Sequence, residues 1–303
     1  MTDQRITPFA QVRHPRSFCS GFTLVEAVIV IVVTGILAGV VAIFIAGPVG
    51  GYVDATRRAI LTDMADHALR RMGRDLRSAL PNSIRLSGTA LEFIPVQDGA
   101  RYRVERDIIG GEPSGNPLLF SGTATNLSIS AVDIFGVAAP VAAANDFIVV
   151  FNTGQAGVNA NCSSGGADAY QGCNRRKLSA APSLSGMAFF NEYNSLLMFD
   201  SPGHRAHFVP KSGPVSYVCE GVGTVNGSGS GRLRRYQDYG WNPSQTIPGP
   251  GGGALLAENV SACQFNYMPG ITQTNGLVTL HITLTRGQES VTLYHEIHVD
   301  NQP

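Results

Sequence analysis

Gly21-Phe22-Thr23-Leu24-Val25-Glu26, followed by the uncharged apolar run from Ala27 to Gly47, is the stretch on which the reading of this chain turns. A run of about 20 apolar residues is what one helix needs to cross the hydrocarbon core of a bilayer. Glu26 stands just inside that run, where a carboxylate is unfavourable by roughly 3 kcal/mol, so it requires a partner. Upstream, Arg5, Arg13 and Arg16 against Asp3 form the basic flank that keeps an N-terminus cytoplasmic. The C-terminal part is therefore expected on the opposite side of the membrane. A general secretory signal would be cut after the apolar run at an Ala-x-Ala-like site. The nearest imitation is Ala46-Gly47-Pro48, and a cut before the run is the more economical reading.

Working outward, Ile60/Leu61, Met64/Ala65, Ala68/Leu69, Met72, Leu76 and Ala79/Leu80 recur in steps of three and four, which predicts an amphipathic helix that Pro81 ends. Asp54 to Arg58 and Asp66 to Arg70 are acid-before-base pairs on adjacent turns. The arginines from Arg57 to Arg77 read as a solvated face or, more sharply, as a subunit contact. Joined to the apolar run, a helix from Phe22 to Leu80 would be about 90 Å long at about 1.5 Å per residue. Gly47-Pro48 and Gly50-Gly51 are expected to kink or unwind it.

After Pro81 the apolar period becomes two, predicting strands at Leu91 to Ile94, Ala100 to Val104 and Phe147 to Phe151. Val278, Leu280, Ile282 and Leu284, answered by Val291, Leu293, Ile297 and Val299 across Arg286-Gly287-Gln288-Glu289, predict a hairpin with one buried face. Thr153 to Gly166, Gly221 to Gly231 and Asn242 to Gly253 are too long for simple turns and are expected to be mobile or to serve as interaction surfaces.

The 303 residues carry 22 basic and 22 acidic groups without a charged tail, which leaves no nucleic-acid footprint. The 35 glycines and 17 prolines lie mostly beyond the membrane run and indicate a turn-rich β domain. Of five cysteines, Cys19 precedes the expected cut, leaving Cys162, Cys173, Cys219 and Cys263. An even number in an exported domain favours disulfides. Sequential pairing, Cys162 with Cys173 and Cys219 with Cys263, is preferred because the first pair brackets a Gly/Ser/Asn loop that gains most from closure. Zinc is the rival, but the tight Cys-x-x-Cys spacing it favours is absent.

The start of the chain resembles the class III signal of type IV prepilins and pseudopilins. The resemblance implies that a prepilin peptidase cuts between Gly21 and Phe22, that Phe22 is N-methylated, and that Glu26, fifth in the mature chain, neutralises a neighbour's terminal amine in the filament. Leu255-Leu256-Ala257-Glu258-Asn259-Val260 leading to Phe265-Asn266-Tyr267 is similar to the late strand of J-type pseudopilins. Tyr52 to Ala59, Leu69 to Arg77, Gly213 to Cys219 and Asn259 to Cys263 are more narrowly similar to the biogenesis proteins of the MSHA pilus. The resemblance implies an α+β fold, a long N-terminal α-helix packed on an antiparallel β-sheet pilin-like globular domain. The implied parts are a leader at 1–21, a membrane and assembly helix at 22–47, an amphipathic stem at 48–81 and a periplasmic β-rich domain at 82–303. The implied partners are other minor and major pilins or pseudopilins, the prepilin peptidase and an inner-membrane assembly platform. The implied place is the bacterial inner membrane, with a single pass and a periplasmic C-terminal domain, and then the filament or its tip.

Other chemistry is weaker. His204-Arg205-Ala206-His207 and the pair His295, His298 are the best metal candidates, but residues three apart in a strand face opposite ways, so the second pair cannot share an ion. No nucleophile elbow, phosphate loop or dinucleotide fingerprint is present, so no enzymatic activity, cofactor or metal is expected. Arg232, Arg234, Arg235, Tyr236, Tyr239 and Trp241 interleave base with aromatic. They read first as a structural strand and second as a protein or glycan contact. A J-type subunit of a type II secretion system, and a membrane-anchored periplasmic enzyme or carbohydrate-binding domain, remain the alternatives.

Overall fold

The computed structural model describes residues 21–120, 131–136, 142–156, 166–183, 186–189, 199–270 and 275–303. The expected leader up to residue 20, Cys19 and Cys162 lie outside them, as does part of the Thr153 to Gly166 loop. The chain divides into two compact units, Met1–Ala55 and Thr56–Pro303.

One helix, α1 (Leu24–Arg77), contains both the apolar run and the amphipathic stem. In the first unit it is long and apolar enough to cross a membrane, and its most apolar window has no buried residue. Thr34, a polar residue within that window, donates its hydroxyl to the Val30 carbonyl at 2.6 Å. That bond satisfies a group that lipid could not. The unwound patch expected near Pro48 is absent, and the helical pattern runs through Gly47-Pro48 and Gly50-Gly51. Pro48 removes one donor, but the turns on both sides supply enough bonds to keep the pattern. The helix stops at Arg77, before Leu80, with Ser78 N and Oγ both donating to the Asp75 carbonyl.

In the second unit the strands are β1 (Arg85–Ser87), β2 (Ala90–Phe93), β3 (Asp98–Tyr102), β4 (Asp107–Ile109), β5 (Glu112–Ser114), β6 (Ala131–Phe135), β7 (Phe147–Val150), β8 (Arg175–Lys177) and β9 (Met187–Phe189). They continue as β10 (Arg205–Val209), β11 (Val215–Glu220), β12 (Thr224–Val225), β13 (Ser228–Gly229), β14 (Gly231–Tyr236), β15 (Ala254–Met268), β16 (Gly276–Arg286) and β17 (Glu289–Val299). A seven-stranded sheet has the order β1-β2-β11-β14-β15-β16-β17, and a six-stranded sheet the order β8-β7-β10-β3-β6-β9. Every described pairing is antiparallel. The expected α+β fold is therefore present.

The stem covers the large sheet. Leu61, Ala65, Ala68, Leu69, Met72 and Leu76 pack with Phe93, Tyr217, Leu233, Val278, Leu280, Ile282, Leu284 and Ile297. Leu61, Leu69, Met72 and Leu76 are at most 2% exposed, and burying each such side chain contributes about 1.5–3 kcal/mol. The small sheet has its own core of Tyr102, Val132, Ile134, Ile148, Val150, Leu178 and Phe208. A third cluster, Leu80, Ile94, Val149, Ala169, Tyr170 and Val209, lies where residues that follow α1 and β2 meet β7 and β10.

The final hairpin is β16–β17. Arg286 pairs with Glu289, which leaves Gly287 and Gln288 as a two-residue turn with φ of +59° and +69°. Positive φ at both positions is the type I′ pattern whose twist suits a hairpin. The Gly221 to Gly231 segment, expected to be mobile or to serve as an interaction surface, is built as a short hairpin. Val225 pairs with Ser228 across Asn226-Gly227, another positive-φ pair, and Gln288 N donates to the Gly227 carbonyl at 2.8 Å. A Cβ at Gly229 would lie 2.0 Å from the Asn259 carbonyl oxygen, so the hairpin rests directly on the β15 backbone. The Asn242 to Gly253 loop is likewise held, with Arg85 donating to the Asn242 and Pro243 carbonyls and Arg234 to Gly253.

Candidate processing and assembly site

Gly21, Phe22 and Thr23 are non-helical and precede the first residue of α1. The Gly21–Phe22 bond thus lies outside the helix, just before its start, with Phe22 74% exposed. Thr23 is the N-cap. Its Oγ1 accepts the Glu26 amide at 3.2 Å, and its carbonyl accepts the Ala27 amide at 3.1 Å. Thr-x-x-Glu is the capping-box pattern, in which the third helical residue complements the cap. Glu26 also puts a carboxylate in the first turn, where the helix dipole favours it. Viewing Glu26 only as a charge in need of a partner misses Thr23, although the Thr-x-x-Glu spacing is visible in the sequence. At this end the chain presents a peptide bond outside the helix, an exposed aromatic beside it, and a carboxylate one turn further in.

Residues 16–42 match the family model of the prokaryotic N-terminal methylation motif. The match spans the expected cleavage site and most of the apolar run. It supports a type IV pilin-like signal, processing by a prepilin peptidase, pilin-type partners in general and a membrane anchor. No curated protein and no solved structure matches the chain at a significant level.

The remaining candidate residues lie in the globular unit and on the stem. Cys219 and Cys263 are joined as a disulfide with Cα atoms 6.4 Å apart, linking β11 to β15. Cys173 is also disulfide-bonded, while Cys162, its expected partner, lies outside the described residues. On α1, Arg58 reaches Glu289 of β17 at 2.7 Å, Arg70 pairs with Asp66 at 2.6 Å, and Arg71 and Arg74 are exposed.

The basic and aromatic stretch on β14 is held by internal partners. Arg235 Nε donates to Asp75 Oδ2 at 2.9 Å, and Arg234 lies 3.4 Å from Glu220, which also accepts the Tyr236 hydroxyl. Tyr239 donates to Glu92 at 2.8 Å. Glu92 is wholly buried and also receives Arg85 Nε at 2.5 Å. Burial, together with the Glu92 carboxylate, pushes the Tyr239 hydroxyl pKa up. Arg85 stacks on Tyr170, and Arg175 on Trp241 at 3.8 Å. These are the contacts of a structural strand, the first of the two readings of this stretch.

Among the histidines, His204 Nδ1 lies 3.2 Å from Asp200. His295 is half-buried against Gly73 of α1, whereas His298 is exposed on the other face of β17. Among the described residues no group of three or more His, Cys, Asp or Glu is placed to hold a metal.

Proposed function

We propose that this chain is a non-enzymatic minor pilin or pseudopilin subunit of a type IV pilus, MSHA-like and nearest in its residues to the MSHA pilus biogenesis protein MshO. In this reading α1 holds the subunit in the inner membrane until it packs, helix first, into a filament or a tip complex that primes assembly. The observation that carries it is the motif from Gly21 to Glu26, set at a capped helix start ahead of an exposed apolar span. Glu26 would neutralise the methylated amine of Phe22 on an adjacent subunit once both lie away from water, because an unpaired carboxylate there is costly. Mass spectrometry of the mature N-terminus tests the reading. Cleavage between Gly21 and Phe22 with N-methylated Phe22 is expected, and an intact leader in cells that contain the peptidase overturns it.

A further inference from the structure

The outer face of the small sheet carries two arginines side by side with no carboxylate between them. Arg101 on β3 is directly opposite Arg205 on β10. The adjacent pair is hydrogen-bonded, Tyr102 N to the His204 carbonyl at 3.0 Å, so position 101/205 is a non-hydrogen-bonded pair, the kind whose side chains stand closest. On its other flank Arg101 faces Phe135 of β6. One cross-strand row therefore reads Phe135, Arg101, Arg205.

Like charges directly opposite oppose folding unless something neutralises them. The contrast with Arg103, two residues along the same face, is direct. Arg103 is neutralised twice, by Asp133 at 2.8 Å and Asp107 at 2.5 Å. Arg101 has no ion-pair partner among the described residues, and Arg205 has only the Gln302 amide oxygen at 3.2 Å. Asp98 and Asp300 accept the Gly99 and Gln302 amides and make no ion pair with either arginine.

The next row is Gly99 opposite His207. With no side chain at Gly99, a hollow of about 430 Å³ opens over Gly99, Arg101, Phe135, Gly136, Arg205 and His207. A Cβ at Gly99 would approach nothing closer than the Ala206 carbonyl oxygen at 3.9 Å, so the space is free. His207 Nε2 is buried without a hydrogen-bond partner among the described residues. Burial, offset in part by Asp300 and reinforced by Arg205, lowers its pKa to about 4, so the ring is neutral near neutral pH and adds no positive charge to the floor of the hollow. Phe135 is 48% exposed and adds an apolar ring at the rim.

From this arrangement we propose that the hollow between β6, β3 and β10 binds a carboxylate-bearing sugar, a hexuronic acid unit of an acidic polysaccharide. Arg101 and Arg205 hold the carboxylate and Phe135 lies against the ring. Guanidinium groups match carboxylate geometry in a way a lysine ammonium does not. The site is separate from the N-terminal motif and does not depend on the assembly reading.

The test is titration of the full chain in detergent micelles with trigalacturonic acid, maltotriose and a pentaglutamate peptide at low ionic strength. Saturable binding of trigalacturonic acid, at least about tenfold tighter than maltotriose and about tenfold weaker in Arg101→Ala and in Arg205→Ala, is expected. Absence of binding, or equal binding by the variants, overturns the proposal. Pentaglutamate binding as tightly as the uronate overturns the sugar assignment. If an arginine variant fails to fold, Gly99→Leu decides, because it fills the hollow and leaves both charges in place. Lost binding with an unchanged melting temperature supports the site, and retained binding rejects it.

Discussion

Tyr217 Oη donates to Asp75 Oδ2 at 2.6 Å, tying the last turn of α1 to β11. Asp75 also receives Arg235 from β14, so one carboxylate joins the helix to two adjacent strands. Tyr217→Phe keeps the ring, which is stacked on Phe93, and removes only the hydroxyl. The variant is expected to lose about 2 kcal/mol, the size of a hydrogen bond to a charged group. Denaturant unfolding checks this, and Asp75→Asn should lose at least as much because it also weakens the Arg235 contact.

The Cys219–Cys263 bridge closes a stretch separated by 44 residues that contains β12, β13 and β14. Replacing both cysteines by alanine should cost about 3–4 kcal/mol, since the unfolded chain regains the freedom the bridge removed. Non-reducing peptide mapping should recover the Cys219–Cys263 linked pair and, on the sequential pairing, a Cys162–Cys173 pair. Thiols that alkylate before reduction would reject the pairing.

At the N-terminus two substitutions should separate capping from assembly. Thr23→Ala removes the cap and should cost about 1 kcal/mol locally. Its readout is faster hydrogen exchange at the Glu26 amide, with Thr23→Ser restoring protection. Glu26→Gln should leave insertion and folding intact and lower incorporation into filaments at least about tenfold, the factor carried by an interaction of about 1.4 kcal/mol. Assembly at the wild-type level would remove Glu26 from the account.

Alkaline pH should unfold the globular unit. Burial raises the hydroxyl pKa of Tyr102, Tyr170, Tyr217, Tyr239 and Tyr267, and the Asp75 and Glu92 carboxylates raise Tyr217 and Tyr239 further. Unfolded tyrosines ionise near about 10, so above that pH the unfolded chain holds fewer protons than the folded one. Stability contributed by these groups is complete below about pH 10 and falls as pH rises beyond it. Thermal melts across this range check the slope, and Tyr239→Phe should make it shallower.

Gly73 is buried where α1 meets β17, yet an added Cβ would sit 3.5–3.7 Å from His295 and Ile297, ordinary contact distance. Gly73→Ala should therefore be tolerated and, through better helix propensity, stabilise by up to about 1 kcal/mol. A lowered urea midpoint would mean that the two elements approach more closely than these distances allow.

Much of the architecture is set by local pattern. The period of three and four from Leu61 to Leu76 marks the face that meets the sheet, although Ile60 is exposed and Leu80 falls in another cluster, and the alternation from Val278 to Leu284 marks the buried side of β16. The division into two sheets was not legible, because β3, β6, β7 and β10 are short, far apart in sequence and paired only through the folded whole. Two local signals are legible in hindsight, the Thr23-x-x-Glu26 cap and the Asn226-Gly227 turn. The arginines Arg101 and Arg205 carry no motif, since what distinguishes them from Arg103 is which strand register places an acid opposite. Arg234 and Arg235 stand out as a basic aromatic run, while their partners Glu220 and Asp75 lie too far along the chain for spacing to reveal.

The order of strands in the large sheet sets the schedule on which the protein can fold. The apolar stem of α1 is made early, but of the strands that cover it only β1 and β2 follow closely, while β11 and β14 to β17 occupy residues from Val215 to Val299. Leu61, Leu69, Met72 and Leu76 must therefore wait, mostly uncovered, until nearly the whole chain has been synthesised. Closing contacts over such separations is slow, and an exposed apolar stripe meanwhile invites association with the wrong chain. A nascent or truncated form ending before β16 would be a ligand for a holding chaperone rather than a smaller version of the protein.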